Sequence, residues 1–230
     1  MNRCMLAAVL VVLLARTSHG EIIVDQRPDQ YGGYASDTDF YDSLLHREFW
    51  QREADNILLD RDANISHLRW WGFYGGDDNP VTPPPVPETV RVRVMGARPG
   101  DGLPDESSVL FTQDFLNPGR MPTGRILVAV GGQPAEQVYD IDFNPPIPLF
   151  TGVPYWLEVM QLDDFNSAFR WEQGVGLVNG HAFENPLSNG WYASEGSFGF
   201  QLSSIPEPSS VVLTVIGGCV AAATIRGRRR

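Results

Sequence analysis

The sequence predicts an all-β protein, a jelly-roll-like antiparallel β-sandwich. Three observations carry the prediction. Short stretches alternate apolar and polar residues with a period of two, as in Val90-Arg91-Val92-Arg93-Val94. Turn-forming clusters recur about every 8–15 residues, the spacing of sandwich strands, in a chain with 23 Gly and 18 Pro among 230 residues. No stretch of the body holds an amphipathic helical pattern over three turns.

Taken in order, the chain opens on Met-Asn-Arg, an apolar run from Met5 to Ala15, and Arg16-Thr17-Ser18-His19-Gly20. A basic start, an apolar run of roughly ten residues and small residues at the −3 and −1 positions predict a signal peptide over 1–20, cut before Glu21. The run is too short for a stable membrane anchor, which takes about 20 residues. Residues 21–48 are polar and rich in Gly, Tyr and Asp. They predict an extended segment with little regular structure, with a short helical turn over Ser43 to Phe49.

The sandwich domain is expected over 49–204. Its strands are Ile65–Tyr74, Val90–Val94, Val109–Phe115, Ile126–Val130, Val138–Phe143, Tyr155–Leu162, Phe169–Glu172 and Ser197–Leu202. The turns between them include Gly75 to Pro80, Pro83-Pro84-Pro85, Arg98-Pro99-Gly100-Asp101-Gly102, Asn117-Pro118-Gly119 and Asn144-Pro145-Pro146. Closing two antiparallel sheets on each other protects their edges, which favours the jelly-roll arrangement.

Residues 205–230 form a tripartite tail: Ile205-Pro206-Glu207-Pro208, an apolar segment over 209–225, and Arg226-Gly227-Arg228-Arg229-Arg230. Two prolines bracketing Glu207 enforce an extended backbone that cannot join a helix. The apolar run is at the short end of a transmembrane helix. Arg226, Arg228, Arg229 and Arg230 hold its end in the cytoplasm by the positive-inside rule, which leaves the body outside. This tail resembles the PEP-CTERM sorting signal. The resemblance implies that Pro206, Glu207 and Pro208 are recognised by an exosortase, an integral-membrane protease that removes the helix. The partners it implies are signal peptidase, the exosortase-type protease, the inner membrane before processing, and extracellular polysaccharide. Ala54 to Asp60, Ile65 to Tyr74, Thr151 to Val159 and Trp191 to Leu202 resemble the β-sandwich domain of undefined activity often found upstream of such tails.

Charge and cysteine narrow the function. Residues 21–205 carry 11 Arg and 27 acidic residues, a net of −16, and the chain has no Lys. So acidic a body repels phosphate backbones, which argues against nucleic-acid binding. Cys4 and Cys219 lie in the two targeting segments, so the body has neither disulfides nor thiol chemistry. Its core must hold the fold alone, which about 185 residues can supply.

Two residue sets are candidate sites. Trp70, Trp71, Trp156, Trp171 and Trp191, with Phe73 and Tyr74, can form a platform on which sugar rings stack; core packing is the competing role. Adjacent strand residues face opposite ways, so one of Trp70 and Trp71 is expected to face outward or to lie under a loop. Asp77, Asp78, Asp163 and Asp164 stand in expected loops and can donate oxygens to a structural Ca²⁺; turn hydrogen bonding is the competing role. Asp60-Arg61-Asp62-Ala63-Asn64 begins like a calcium loop, but Ile65 and Trp71 stand where it needs Gly and Glu. His46, His67 and His181 have no zinc spacing, and there is no Gly-x-Ser-x-Gly elbow.

The expected function is that of an exported cell-surface or extracellular-matrix protein, non-enzymatic and without a cofactor, associated with exopolysaccharide. The alternatives are a carbohydrate-binding module using exposed tryptophans and a secreted glycoside hydrolase. N-terminal sequencing of the exported chain should begin at Glu21; a start at Met1 would overturn the signal peptide.

Overall fold

The computed structural model describes residues 20–42, 47–75, 86–127, 133–162, 169–175, 180–184 and 190–204. For residues 30, 31, 35, 37–42 and 47–49 it describes the backbone alone. The chain divides into Ile22–Ser203 and a second unit made of Met1–Glu21 with Ser204–Arg230. Of the second unit only residues 20, 21 and 204 are described.

Every element among the described residues is a strand. In chain order these are β1 (Glu21–Gln26), β2 (Pro28–Ala35), β3 (Asp37–Asp42), β4 (Arg47–Ile57), β5 (Ala63–Tyr74), β6 (Thr89–Ala97) and β7 (Pro104–Leu116). They continue with β8 (Gly119–Ile126), β9 (Ala135–Leu149), β10 (Tyr155–Gln161), β11 (Phe169–Gly174), β12 (His181–Glu184), β13 (Tyr192–Ser194) and β14 (Phe200–Ser204). One seven-stranded sheet runs β1-β14-β5-β11-β2, with β9 also on β5 and β8 on β9. The other runs β13-β12-β4-β3-β10-β6-β7, with β4 also reaching β10. The ladders of β5 with β9 and β11, of β10 with β4 and β6, and of β6 with β7 are antiparallel. β3 meets β10 in parallel at Asp37 and Gln161.

The two sheets share one core, as the alternation predicts. Val90, Val92 and Val94 of β6 enter it with Leu157 and Val159 of β10, while Arg91 and Arg93 take the opposite face. From the other sheet come Leu68, Trp70 and Tyr74 of β5, Tyr139 and Ile141 of β9, Trp171 of β11, and Phe200 and Leu202 of β14. The aromatics form an ordered column. Trp70 stacks on Tyr139 at 4.9 Å between centroids, and Tyr139 meets Phe169 edge-on at 5.9 Å. Trp171 stacks on Phe198 at 4.5 Å. Such pairs contribute about 0.5–1.5 kcal/mol each beyond the area they bury.

Three expectations are corrected. Residues 21–42 are not irregular: they supply β1, β2 and β3. Their own pattern is weak, and neighbours hold them, with Tyr34 opposite Trp171 and Phe40 opposite Phe49. The helical turn over Ser43 to Phe49 fails at Arg47–Phe49, which open β4; residues 43–46 lie outside the described ones. Of the expected strand at Ile126–Val130, Ile126 closes β8 and Leu127 already lies past it, while residues 128–130 lie outside the described ones.

Gly72 breaks the run of large residues in Trp70-Trp71-Gly72-Phe73-Tyr74 because two backbones approach closely there. A Cβ at this position would meet the Phe169 ring at 2.6 Å and the Arg170 carbonyl oxygen at 2.8 Å. Gly72→Ala should therefore destabilise the fold by about 1–3 kcal/mol, read as a lower urea midpoint with an unchanged slope.

Candidate functional site

The five tryptophans are inside. Trp70 and Trp171 are 0% exposed, Trp191 4%, Trp156 6% and Trp71 8%. Phe73 and Tyr74 are buried with them. Trp70 joins the core and Trp71 the opposite face of β5, as a period of two requires, yet that face is covered as well. Trp156 Nε1 donates to the Gly102 carbonyl at 2.9 Å, and Trp171 Nε1 to that of Gly199 at 3.1 Å. Sugar stacking needs an open ring face, and burial denies one to all five, which corrects the platform expected from the sequence. Pro206, Glu207, Pro208, the arginines from 226 to 230, Asp77, Asp78, Asp163 and Asp164 lie outside the described residues.

The structure brings together a set that the sequence does not single out. On the outer face of the second sheet, Arg52 of β4 bonds three carboxylates. Its Nε donates to Glu158 Oε1 at 2.6 Å, Nη1 to Glu184 Oε2 at 2.7 Å and Nη2 to Glu106 Oε1 at 2.5 Å. Arg93 of β6 donates to the second Glu158 oxygen and to Glu106 at 3.2 Å. Trp191 Nε1 also donates to Glu106, at 3.1 Å, and the Arg52 guanidinium stands 4.8 Å over the Trp191 ring. Glu158 is fully buried. Burial pushes its carboxyl up to about 7, against the pull of Arg52. Strand register assembles the set: Glu158 pairs with Arg93 across β10 and β6 and with Ala54 across β10 and β4, while Glu184 pairs with Arg52.

A second polar group sits between the sheets. β4 points Glu53 and Asp55 inward, and β12 sets His181 opposite Asp55. All three are buried. Asp55 Oδ2 accepts the Phe198 backbone N–H at 2.5 Å and Oδ1 that of Asn56 at 2.7 Å. The Glu53 carboxyl stands 3.6 Å from His181 Nε2, and the imidazole packs against Tyr34 and Phe198. Burial raises Asp55 to about 7 and Glu53 well above the usual carboxyl range, and it lowers His181 to about 4. Burial thus holds the Glu53 carboxyl and the His181 imidazole in their neutral forms at pH 7, and the group acts as an internal polar brace.

A third carboxyl, Glu88, accepts the hydroxyls of Tyr74 and of Tyr139 (3.2 Å) on Oε1, and Arg120 Nη1 at 2.5 Å on Oε2. On the outer face of the first sheet, His67 bridges Asp140 at 3.0 Å and Asp142 at 2.9 Å, and Arg69 binds Asp140 through two nitrogens.

Glu158 and Glu88 spend both oxygens on guanidinium or hydroxyl donors of the same chain, and Asp55 spends both on backbone N–H groups, whereas Glu53 Oε2 has no hydrogen-bond partner among the described residues. Among the described residues no three His, Cys, Asp or Glu side chains are placed to hold a metal ion. The arrangement's chemistry is the fixing of strands by buried charge and hydrogen bonds. Alternation marks Arg93 as outward-facing, but its contact with Glu158 requires a register that spacing along the chain does not contain. The chain matches no known protein-family model and no curated protein.

The raised carboxyls set a pH dependence. Asp55, with an ordinary value of 3.8, keeps its proton in the fold up to about 7, and burial raises Glu53 in the same sense. The native state therefore binds protons that the unfolded chain has released, and stability falls as pH rises through that window. His181, lowered from 6.5 to about 4, acts in the opposite sense below 6.5, but one imidazole faces two carboxyls. The unfolding free energy should thus fall between about pH 4 and pH 7. Asp55→Asn should make that slope shallower while lowering stability at the acid end; an unchanged slope would refute the assignment.

Proposed function

We propose that this is an exported, non-enzymatic surface or matrix protein, delivered as a closed β-sandwich and processed at both ends. The observation that carries the reading is where the strands stop. β1 begins at Glu21, the first residue after the predicted signal cut, and β14, Phe200–Ser204, runs to the last residue described before Pro206. β1 and β14 are neighbours in one sheet. Both cuts therefore fall outside the described strands, and removing 1–20 and the tail takes none of those strands away. The division of the chain at Ile22 and Ser203 supports the same boundaries.

In this reading the tail is the sorting signal. Pro206-Glu207-Pro208 is offered as an extended peptide to an exosortase-type protease, the 209–225 segment spans the inner membrane, and the arginine end stays in the cytoplasm. Among the described residues no helix is long and apolar enough to cross a membrane; the 209–225 segment lies outside them. The jelly-roll ordering of the strands and an association with exopolysaccharide outside the cell belong to the same proposal. A non-enzymatic role is favoured by the saturated carboxyls: both oxygens of Glu158 and of Glu88 already accept donors from this chain.

The test compares the mass of the mature protein in strains with and without the sorting protease. A chain shortened near Pro206 in the first strain alone, and left membrane-bound and full-length by the double change Pro206→Ala and Pro208→Ala, is the expected outcome. An untrimmed C-terminus in both strains would overturn the reading.

A further inference from the structure

A sheet edge offers unpaired N–H and C=O groups to any strand that can reach them, and proteins blunt such edges with brevity, Pro, charge or bulges. The edges of this sandwich differ in that respect. β13 has three residues, and β1, at the end of the first sheet, has six, with Glu21 and Asp25 among them. β2 opens on Pro28 and contains Gly32 and Gly33. β8 carries Pro122, a left-handed Gly124 and a register shift between Pro122 and Ile126. β7, at the end of the second sheet, has 13 residues. Its irregularities lie at Leu110 and toward Pro104, and from Phe111 to Leu116 it runs in unbroken register against Val94 to Thr89.

That regular half is long enough to pair and nearly uncharged. Thr112, Gln113, Asp114 and Leu116 are exposed, Leu116 at 68% and the neighbouring Leu110 at 45%. Phe111 and Phe115 touch the core but are only half-buried. The one charge, Asp114, is held by Arg91 through Nε at 2.7 Å and Nη2 at 2.9 Å. The chain has no Lys with which to guard the edge.

We propose that a second copy of this chain pairs with β7, antiparallel and two-fold symmetric about Gln113, so that the two seven-stranded sheets join edge to edge. The sequence of this half-strand is self-complementary in that register. Phe111 faces Phe115 of the partner, completing the burial of both rings. Leu116 faces the partner's Leu110, Gln113 faces its own copy, and Asp114 faces a threonine hydroxyl at 112. Sliding the pairing two residues one way would set Asp114 against Asp114; sliding it the other way would set Phe111 against Gln113. Cross-strand aromatic pairs stabilise a sheet and like charges directly opposite weaken it, so the symmetric register about Gln113 is the one selected.

The proposal is independent of the processing of the ends. It is tested by sedimentation equilibrium of the full chain in detergent micelles over a range of protein concentrations. The expected result is a reversible dimer. Thr112→Asp sets aspartates opposite each other twice across the two-fold and should weaken it about tenfold. Thr112→Arg sets an opposite charge there and should preserve or tighten it. Within one copy the signs reverse, because position 112 lies beside Arg93 on β6, where Asp is favourable and Arg is not. Damage to the fold therefore cannot imitate the result. A monomer at every concentration would overturn the proposal. So would equal shifts in the two variants, or a dimer indifferent to both, which would place the association in another segment such as the tail.

Discussion

The structure turns on a carboxylate buried between two guanidiniums. β10 is buried on both faces along its whole length, so its outward residues have to be covered as well as its core residues. Glu158 points outward, and no water reaches it. It is tolerable there because Arg52 from β4 and Arg93 from β6 close on it from either side. The cost of a buried charge left without its partner is about 3–5 kcal/mol. The trio therefore penalises any misalignment of β4, β10 and β6. A one-residue slip of β10 would turn Glu158 into the core and Leu157 out of it, because the side-chain period is two. Trp191 and Glu106 then cap Arg52, which makes the cover over this face part of the same network.

The other sheet solves its packing with shape. The body has no cysteine and relies on ring contacts. Trp70, Tyr139, Phe169 and Tyr74 form a continuous aromatic row whose two hydroxyls end on Glu88. A buried tyrosine is useful at the margin of a core because it ends in a hydrogen bond. Burial lifts Glu88 above the usual carboxyl range in spite of these partners, and Arg120 supplies the compensating charge. Gly72 lets Phe169 reach the row, and this is why a residue without a side chain interrupts the most aromatic strand of the chain.

How much of this the sequence discloses depends on whether a residue's fate is local. Val90 to Val94 and Val138 to Phe143 alternate because one face of each strand meets the core, and they are strands as their pattern implies. β2 and β3 are not legible. Their Gly, Tyr and Asp residues carry no apolar stripe, and their stability comes from strands far along the chain, as in the pairing of Tyr34 with Trp171. The same limit governs the tryptophans. Composition reveals large flat rings, and alternation reveals that Trp70 and Trp71 point opposite ways. Neither reveals that both sides of β5 are covered. Arg52 was unreadable for a further reason: its three carboxylates come from β7, β10 and β12, which only the fold brings together.

The acidity of the body links these features to its surface. Among the described residues eight arginines are tied to carboxylates, several of them buried or half-buried, so much of the positive charge is spent internally. Residues 21–205 carry a formal excess of 16 negative charges, and although Glu53, Asp55, Glu88, Glu136, Glu158 and Glu172 are buried, the surface of the body stays acidic. Such a field keeps copies apart and soluble, and it fades beyond about 8 Å at physiological ionic strength. Contact between copies then has to occur where the local charge is least, over a strip whose hydrogen bonds act at shorter range than the field. Phe111–Leu116 has that character: one carboxylate in six residues, already neutralised by Arg91, on a strand with one side unpaired among the described residues. In an acidic chain without lysine, the edge pairing proposed for β7 thus falls where the charge that keeps copies apart is least.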